Sequence, residues 1–304
     1  MPTDSSCIPT RLIAIALLAL AAIGCSSSNL PAITDTPTGN NLPGKVVWHD
    51  LITDTPDTSR QFFADLFGWE FEQVDLGVFS AIDYSLIRHN GRLIGGMVDQ
   101  SQLPAKSDIS QWIAVFSVTD VDAAAKTVSA SGGGVVTPPT NLADRGRLAV
   151  VTDPQGALFT LLQTNGHDPV DRDEADVGGF LWDELWTSDV DSASGFYQSL
   201  VGYEVGDGPA LGKSEYRVLS SQDRPRAGIM EMPVEGIDPV WVPYLRVENP
   251  AALHAIVARV ESLGGSILLD PQERDIGGQV ALIAGPSGAG IALQTWPLSA
   301  DQGD

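Results

Sequence analysis

The chain has 304 residues, 43% hydrophobic and 18% charged, a globular composition with enough apolar residues for two ordinary cores. Its formal net charge of −22 makes the surface acidic enough to repel phosphate backbones, so nucleic acid is excluded as an expected partner. No Gly-x-Ser-x-Gly string, phosphate loop or Cys-x-x-Cys pair occurs, which leaves serine hydrolase, nucleotide and thiol redox readings without support.

At the N-terminus Arg11 precedes an apolar run, Leu12–Ile23, of the length of a signal-peptide core and short for a bilayer span. The run ends in Gly24-Cys25, and the string AAIGC resembles the cleavage signal of bacterial lipoproteins. Residues 1–24 are therefore expected to be a signal peptide, with Cys25 lipidated once they are removed. The expected location is the bacterial envelope, outer membrane or periplasmic face, with the lipid holding the protein to the membrane. Cys7 lies in the removed part, so no disulfide is expected. Residues 25–43 are rich in Ser, Thr, Asn and Pro without periodicity and predict a flexible tether.

The first domain is expected over residues 44–165. A strand at Val46–Ile52 leads into a helix over 59–68, where Phe62, Phe63, Leu66 and Phe67 fall at helical spacing and Gly68 suits the C-cap. Strand-like runs follow over 69–75, 79–88 and 92–98. The same order restarts with a strand over 112–118, a helix over 120–133 capped by Asp120, and strands over 134–139, 147–154 and 157–164. A charged stretch, 166–177, reads as a linker to a second domain over 178–297, with 298–304 as a tail.

The second domain echoes the first. Leu51–Phe71 lies without gaps over Leu185–Val205, matching Leu51 with Leu185, Phe63 with Tyr197, Gly68 with Gly202 and Trp69 with Tyr203. Farther on, Tyr84 meets Tyr216, Trp112 meets Trp241, and Asp153–Ala157 meets Gly285–Ala289. The prediction is an α+β fold of four βαβββ units in two tandem domains.

The helix-end pattern F-[FY]-x-x-L-x-G-[WY]-E and the closing D-P-x-G-A, on this element order, resemble the vicinal oxygen chelate superfamily. That superfamily includes glyoxalase I, bleomycin-resistance proteins and extradiol dioxygenases. The resemblance implies that each pair of units curls its sheet around an open cleft into which metal ligands project. Carried onto this chain, the ligand positions fall at Trp48, Gly96, near Ile113 and at Thr160 in the first domain. In the second they fall at Trp182, Met230 or Glu231, near Val242 and at Ala292. A divalent site needs three or four convergent donors, so no cofactor is expected in either cleft.

Strand alternation predicts which side chains face the clefts instead. Trp48 and Asp50 face the first, with His49 and Leu51 turned toward the helix layer. Trp182, Glu184, Tyr244, Arg246 and Gln294 face the second. These residues are the candidate ligand-binding set for a small organic molecule, and Glu184 is the candidate catalytic base. An inert alternative has Glu184 and Arg246 neutralising each other. His89 and His167 are expected to be exposed, His254 to lie on a helix face, and Asp144 and Arg147 to sit in an exposed turn. Three functions stay open: a metal-independent, lipid-anchored small-molecule binder; a lyase, isomerase or dioxygenase of the superfamily; and a non-catalytic envelope scaffold. A homodimer formed by exchange of units is also left open.

Overall fold

A computed structural model describes residues 30–75, 83–103, 108–166, 168–208, 215–234, 236–275 and 277–296. Cys25, His167, the signal segment and the tail lie outside the described residues. The first sheet contains β1 (Val46–Thr53), β2 (Glu70–Val74), β3 (Tyr84–His89), β4 (Arg92–Asp99), β5 (Gln111–Ser117), β6 (Gly134–Asn141), β7 (Arg147–Thr152) and β8 (Leu158–Gln163). Its spatial order is β2-β3-β4-β1-β5-β8-β7-β6, so the two βαβββ units meet where β1 runs antiparallel to β5. The second sheet contains β9 (Phe180–Thr187), β10 (Glu204–Asp207), β11 (Tyr216–Ser221), β12 (Arg224–Glu231), β13 (Val240–Val247), β14 (Ser266–Glu273), β15 (Gln279–Ala284) and β16 (Gly290–Thr295). It repeats the order as β10-β11-β12-β9-β13-β16-β15-β14. The fold is α+β, two tandem domains of paired βαβββ units.

The helices are α1 (Pro56–Phe67), α2 (Val121–Ala130), α3 (Val190–Val201) and α4 (Pro250–Val260). Helix α1 starts before the predicted Ser59, because Pro56 at the first turn has a preset φ and no N–H to leave unpaired. It stops at Gly68, whose φ of 71° is left-handed and whose N–H reaches the Ala64 carbonyl. Asp120 caps α2 as expected, accepting from the Ala123 N–H at 2.9 Å.

The helix-bearing faces of the two sheets pack on each other. Helix α1 lies against α4 and α2 against α3, so the first unit pairs with the fourth and the second with the third. One shared core combines Phe116, Val128 and Phe159 of the first domain with Phe196, Tyr197 and Trp241 of the second. Another combines Phe62, Phe63 and Trp112 with Leu245, Leu253 and Leu293. The clefts therefore open outward, on opposite sides of a common interior.

Equivalent residues meet across this interior. His49 Nε2 lies 2.8 Å from Asp183 Oδ1, its counterpart in the other copy, and the imidazole stacks on Phe180 with centroids 3.7 Å apart. Trp69 Nε1 donates to the Gly178 carbonyl at 2.9 Å, and its counterpart Tyr203 donates to the Gly44 carbonyl. Gly44 has a φ of +84°, and a Cβ there would strike the Tyr203 ring, so glycine is needed on both counts.

Two expectations change. His89 is buried, with Nε2 2.7 Å from the Val177 carbonyl oxygen, because the start of the second domain covers the β3–β4 turn. The polar segment ahead of β1 is not free along its described length. Leu30 and Ile33 are buried in the first cleft, and Leu42 N–H donates to the fully buried Asp168. The interdomain stretch is likewise tied down, with Asp171 bridging Lys45 at 3.1 Å and Arg226 at 2.5 Å.

Candidate ligand-binding clefts

In the second cleft the residue that organises the floor is Glu184, at the middle of β9 and with no exposed surface. Its Oε1 accepts from the Tyr216 hydroxyl at 2.9 Å and from Arg274 Nη2 at 3.0 Å. Its Oε2 accepts from the Tyr244 hydroxyl and, in a longer contact of 3.5 Å, from Trp186 Nε1. Trp182 Nε1 donates to the Tyr216 oxygen at 2.9 Å. Arg274 extends the group, donating to Gln294 Oε1 at 3.2 Å while its guanidinium lies 5.3 Å from the Tyr244 ring centre. Gly228 sits beside Glu184 on β12 because a Cβ there would overlap the Tyr216 hydroxyl.

The electrostatics keep these groups as donors. Burial, then the charge of Glu184, pushes the Tyr216 and Tyr244 phenols above their ordinary range, so both stay protonated. Burial works against the Arg274 charge, but the adjacent carboxylate outweighs it and raises the guanidinium's pKa. A groove of about 910 Å³ runs from the first domain's His89 and Arg92, along the interdomain stretch at Asp171 and Asp176, to this cluster at Trp182, Tyr244, Arg274 and Gln294, so only its far end belongs to the second cleft.

The first cleft repeats the pattern in shorter form. Asp50 Oδ1 accepts from the Tyr84 hydroxyl at 2.7 Å and from Trp48 Nε1 at 3.0 Å, and Arg145 Nη1 donates to the Tyr84 oxygen at 2.7 Å. Asp50, Tyr84, Trp48 and Arg145 thus answer Glu184, Tyr216, Trp182 and Arg274. The walls differ, since Val115 and Leu162 stand where the second cleft has Tyr244 and Gln294. Into this apolar hollow the chain inserts its own Leu30 and Ile33, 4% and 2% exposed, beside Trp48, Tyr84 and Leu148. Burying the two side chains stabilises by roughly 3–6 kcal/mol in all. Fixing the four residues of backbone, Leu30–Ile33, costs roughly 4–8 kcal/mol. The hydrogen bond from Arg145 Nε to the Pro31 carbonyl, 3.2 Å, adds about 1 kcal/mol, so the insertion is close to balance.

Of the candidate residues, Trp48 and Asp50 come together in the first cleft, and Trp182, Glu184, Tyr244 and Gln294 in the second. Arg246 does not join them. It lies beyond the register shift at Tyr244/Leu245, where the interdomain stretch pairs with the end of β13. Its guanidinium is drawn to Glu174 at 2.6 Å and to the Ala175 carbonyl. The cation that pairs with Glu184 is Arg274. Arg145 and Arg274 escaped sequence reasoning, although both copies place an arginine next to an aspartate in the turn between their last two hairpin strands. In the first of these turns Asp144 is exposed and Arg147 pairs with Asp122 of α2, at 2.7 Å, while Arg145 turns inward.

The metal positions implied by the resemblance shift by two residues on the inner strands. Val115 lies across from Trp48 and Tyr244 across from Trp182, whereas Ile113 and Val242 oppose Asp50 and Glu184. Gly228, not Met230 or Glu231, answers Gly96. The sets become Trp48, Val115 and Thr160, and Trp182, Tyr244 and Ala292, with no imidazole or carboxylate in either. Among the described residues no three His, Cys, Asp or Glu side chains gather as a metal-binding group. These residues do not fit a divalent cation.

Residues 45–161 match the family model described as the glyoxalase/bleomycin resistance protein/dioxygenase superfamily. The chain is 29% identical over 242 residues to the glyoxylase-named protein CFP32 of Mycobacterium tuberculosis, covering 80% of this chain and 91% of that one. It is 29% identical over 281 residues to the anthracycline biosynthesis protein DauV of Streptomyces sp., covering 85% and 97%. Among solved structures, the Mn(II)-bound glyoxalase of Novosphingobium aromaticivorans superposes with a TM-score of 0.58 at 17% identity, covering 84% and 83%. The 2,2',3-trihydroxybiphenyl 1,2-dioxygenase of Sphingomonas wittichii gives 0.57 at 15%, covering 84% and 90%. At these identities the two structures speak to the fold alone.

Proposed function

The chain being a tandem member of the glyoxalase/bleomycin resistance protein/dioxygenase superfamily, we propose that it binds a small organic molecule in its second cleft without the superfamily's metal. The observation that carries this reading is the open groove leading to a buried, hydrogen-bonded cluster of two phenols, a carboxylate and a guanidinium. Both oxygens of Glu184 already accept donors, so its part is to orient Tyr216, Tyr244 and Arg274 rather than to take a proton from a ligand. Trp182 and Trp296 offer flat apolar surface, and Arg274 supplies the charge that selects an oxygen-bearing partner. In the same reading Cys25 carries a lipid and the protein works at the bacterial envelope.

A thermal-shift screen of planar aromatic compounds bearing hydroxyl, carbonyl or carboxylate groups, with an anthracycline among them, tests the proposal. At least one compound is expected to raise the melting temperature in a concentration-dependent way. A uniformly flat screen overturns the reading in favour of a scaffold. Metal analysis of purified protein is the second arm, and stoichiometric Fe, Zn, Ni or Mn counts against metal-independent binding. For the anchor, Cys25→Ala is expected to release the protein from the membrane fraction, and continued membrane retention contradicts lipidation.

A further inference from the structure

The first cleft contains a buried cation whose contacts are incomplete. Arg145 is 3% exposed, and its guanidinium lies 4.7 Å from the Trp48 ring centre and 5.2 Å from that of Tyr84. Its two hydrogen-bond acceptors are a phenol oxygen and the backbone carbonyl of Pro31, neither of them charged. Its Nη2 is buried with no hydrogen-bond partner among the described residues. A buried guanidinium without a carboxylate, with one nitrogen orphaned, is costly unless an acceptor is meant to arrive. Pro31 already shows what such an acceptor looks like: an oxygen presented to Arg145 between two apolar bodies, Leu30 and Ile33, that fill the hollow.

We propose that the first cleft is a second binding site, for a small organic anion with an apolar body, and that Leu30–Ile33 is a built-in competitor that caps it. The ligand's anionic oxygens pair with Arg145 Nε and Nη2, its apolar part replaces Leu30 and Ile33, and the displaced segment moves out into solvent. The segment carries no charge of its own between Leu30 and Ile33, so a carboxylate or sulfonate competes with a neutral carbonyl for the same cation. The capped cleft thus differs from the second one in ligand class and in needing its lid displaced. The inference does not depend on ligand binding in the second cleft, because the two sites answer to different arginines.

The test uses the mature full-length chain and 1-anilinonaphthalene-8-sulfonate, an apolar anion whose fluorescence rises on burial. Leu30→Ser/Ile33→Ser loosens the cap and is expected to tighten probe binding about tenfold over the unaltered protein, with one additional site. A synthetic peptide of residues 28–37, added in trans, is expected to displace that extra probe. Adding Arg145→Met to the loosened chain is expected to remove the gain, whereas adding Arg274→Met leaves it intact. Equal probe binding by loosened and unaltered chains overturns the proposal. So does a gain that the peptide fails to displace, which marks general loosening and decides the matter even if the Arg145→Met chain does not fold. A gain lost with Arg274→Met instead assigns the probe to the second cleft and also overturns it.

Discussion

Glu184 shows how much one buried side chain can demand of its surroundings. Four donors converge on its two oxygens, and removing the carboxylate would leave Arg274 buried without its counter-charge. Glu184→Ala is therefore expected to cost about 3–5 kcal/mol in urea unfolding. Tyr216→Phe, which removes a donor to Glu184 and the acceptor of the Trp182 indole, should cost about 1–3 kcal/mol. A loss under about 1 kcal/mol for Glu184→Ala would show that the cluster contributes little to folding. Asp50 and Glu184 could be found in the sequence because duplication aligns them on strands, where alternation says which way they face, whereas it aligns Tyr84 with Tyr216 without assigning either to a cleft. Arg145 and Arg274 could not be found, since each comes from a turn. The first turn holds Ala143 at a φ of 42° and Gly146 at 111°, and such backbone obeys no period of two.

Between elements, the two copies have diverged at matched positions. Trp241 Nε1 on β13 donates to Tyr197 of α3 at 2.9 Å, and the Tyr197 hydroxyl lies 3.3 Å from Asp153. In the other half Phe63 replaces Tyr197, Gly285 replaces Asp153, and Trp112 Nε1 is left buried without a partner among the described residues. Tyr197→Phe should make the second half resemble the first at a cost of about 1–3 kcal/mol, measured by chemical unfolding, because a second indole N–H loses its acceptor. The interdomain stretch depends on charge instead. Asp171 is partly buried, and Arg226 and Lys45 outweigh that burial to hold its carboxyl below the ordinary 3.8. A depressed carboxylate stabilises the fold above its unfolded pKa and loses that contribution as pH falls through the lower folded value. Asp171→Asn should thus lower stability at neutral pH by about 1.5–3 kcal/mol, with the gap to the parent protein closing below pH 3.8. A gap of constant size down to pH 2 would contradict this. Sequence periodicity placed these elements well, and the caps at Gly68 and Asp120 explain why. It could not show that the polar stretches around them are packed, because Leu30, Ile33 and Asp171 act through contacts far away in the chain.

Over the whole molecule, the duplication was readable but its packing was not. Nothing in the string WHDL announces that His49 will meet Asp183, its own counterpart in WDEL, across an interior shared by both domains. The alternation rule did place His49 on the helix side, and the packing of the two sheets brings the partner over it from β9, the first strand of the third unit. Since the two clusters between the sheets draw on both domains, the protein is expected to unfold in a single calorimetric transition, with van't Hoff and calorimetric enthalpies agreeing. Two separated transitions would mean that the sheets are independently stable.

Ligand binding in the second cleft is read by a tryptophan-fluorescence titration, because Trp182 borders the site. The best compound from the thermal screen is titrated into the parent protein, Arg274→Met, Tyr216→Phe and Arg246→Ala. Quenching is expected to saturate in the parent, with binding weakened at least about tenfold, or ~1.4 kcal/mol, by Arg274→Met, a smaller loss for Tyr216→Phe, and parental affinity for Arg246→Ala. Parental affinity in Arg274→Met together with loss in Arg246→Ala would contradict it.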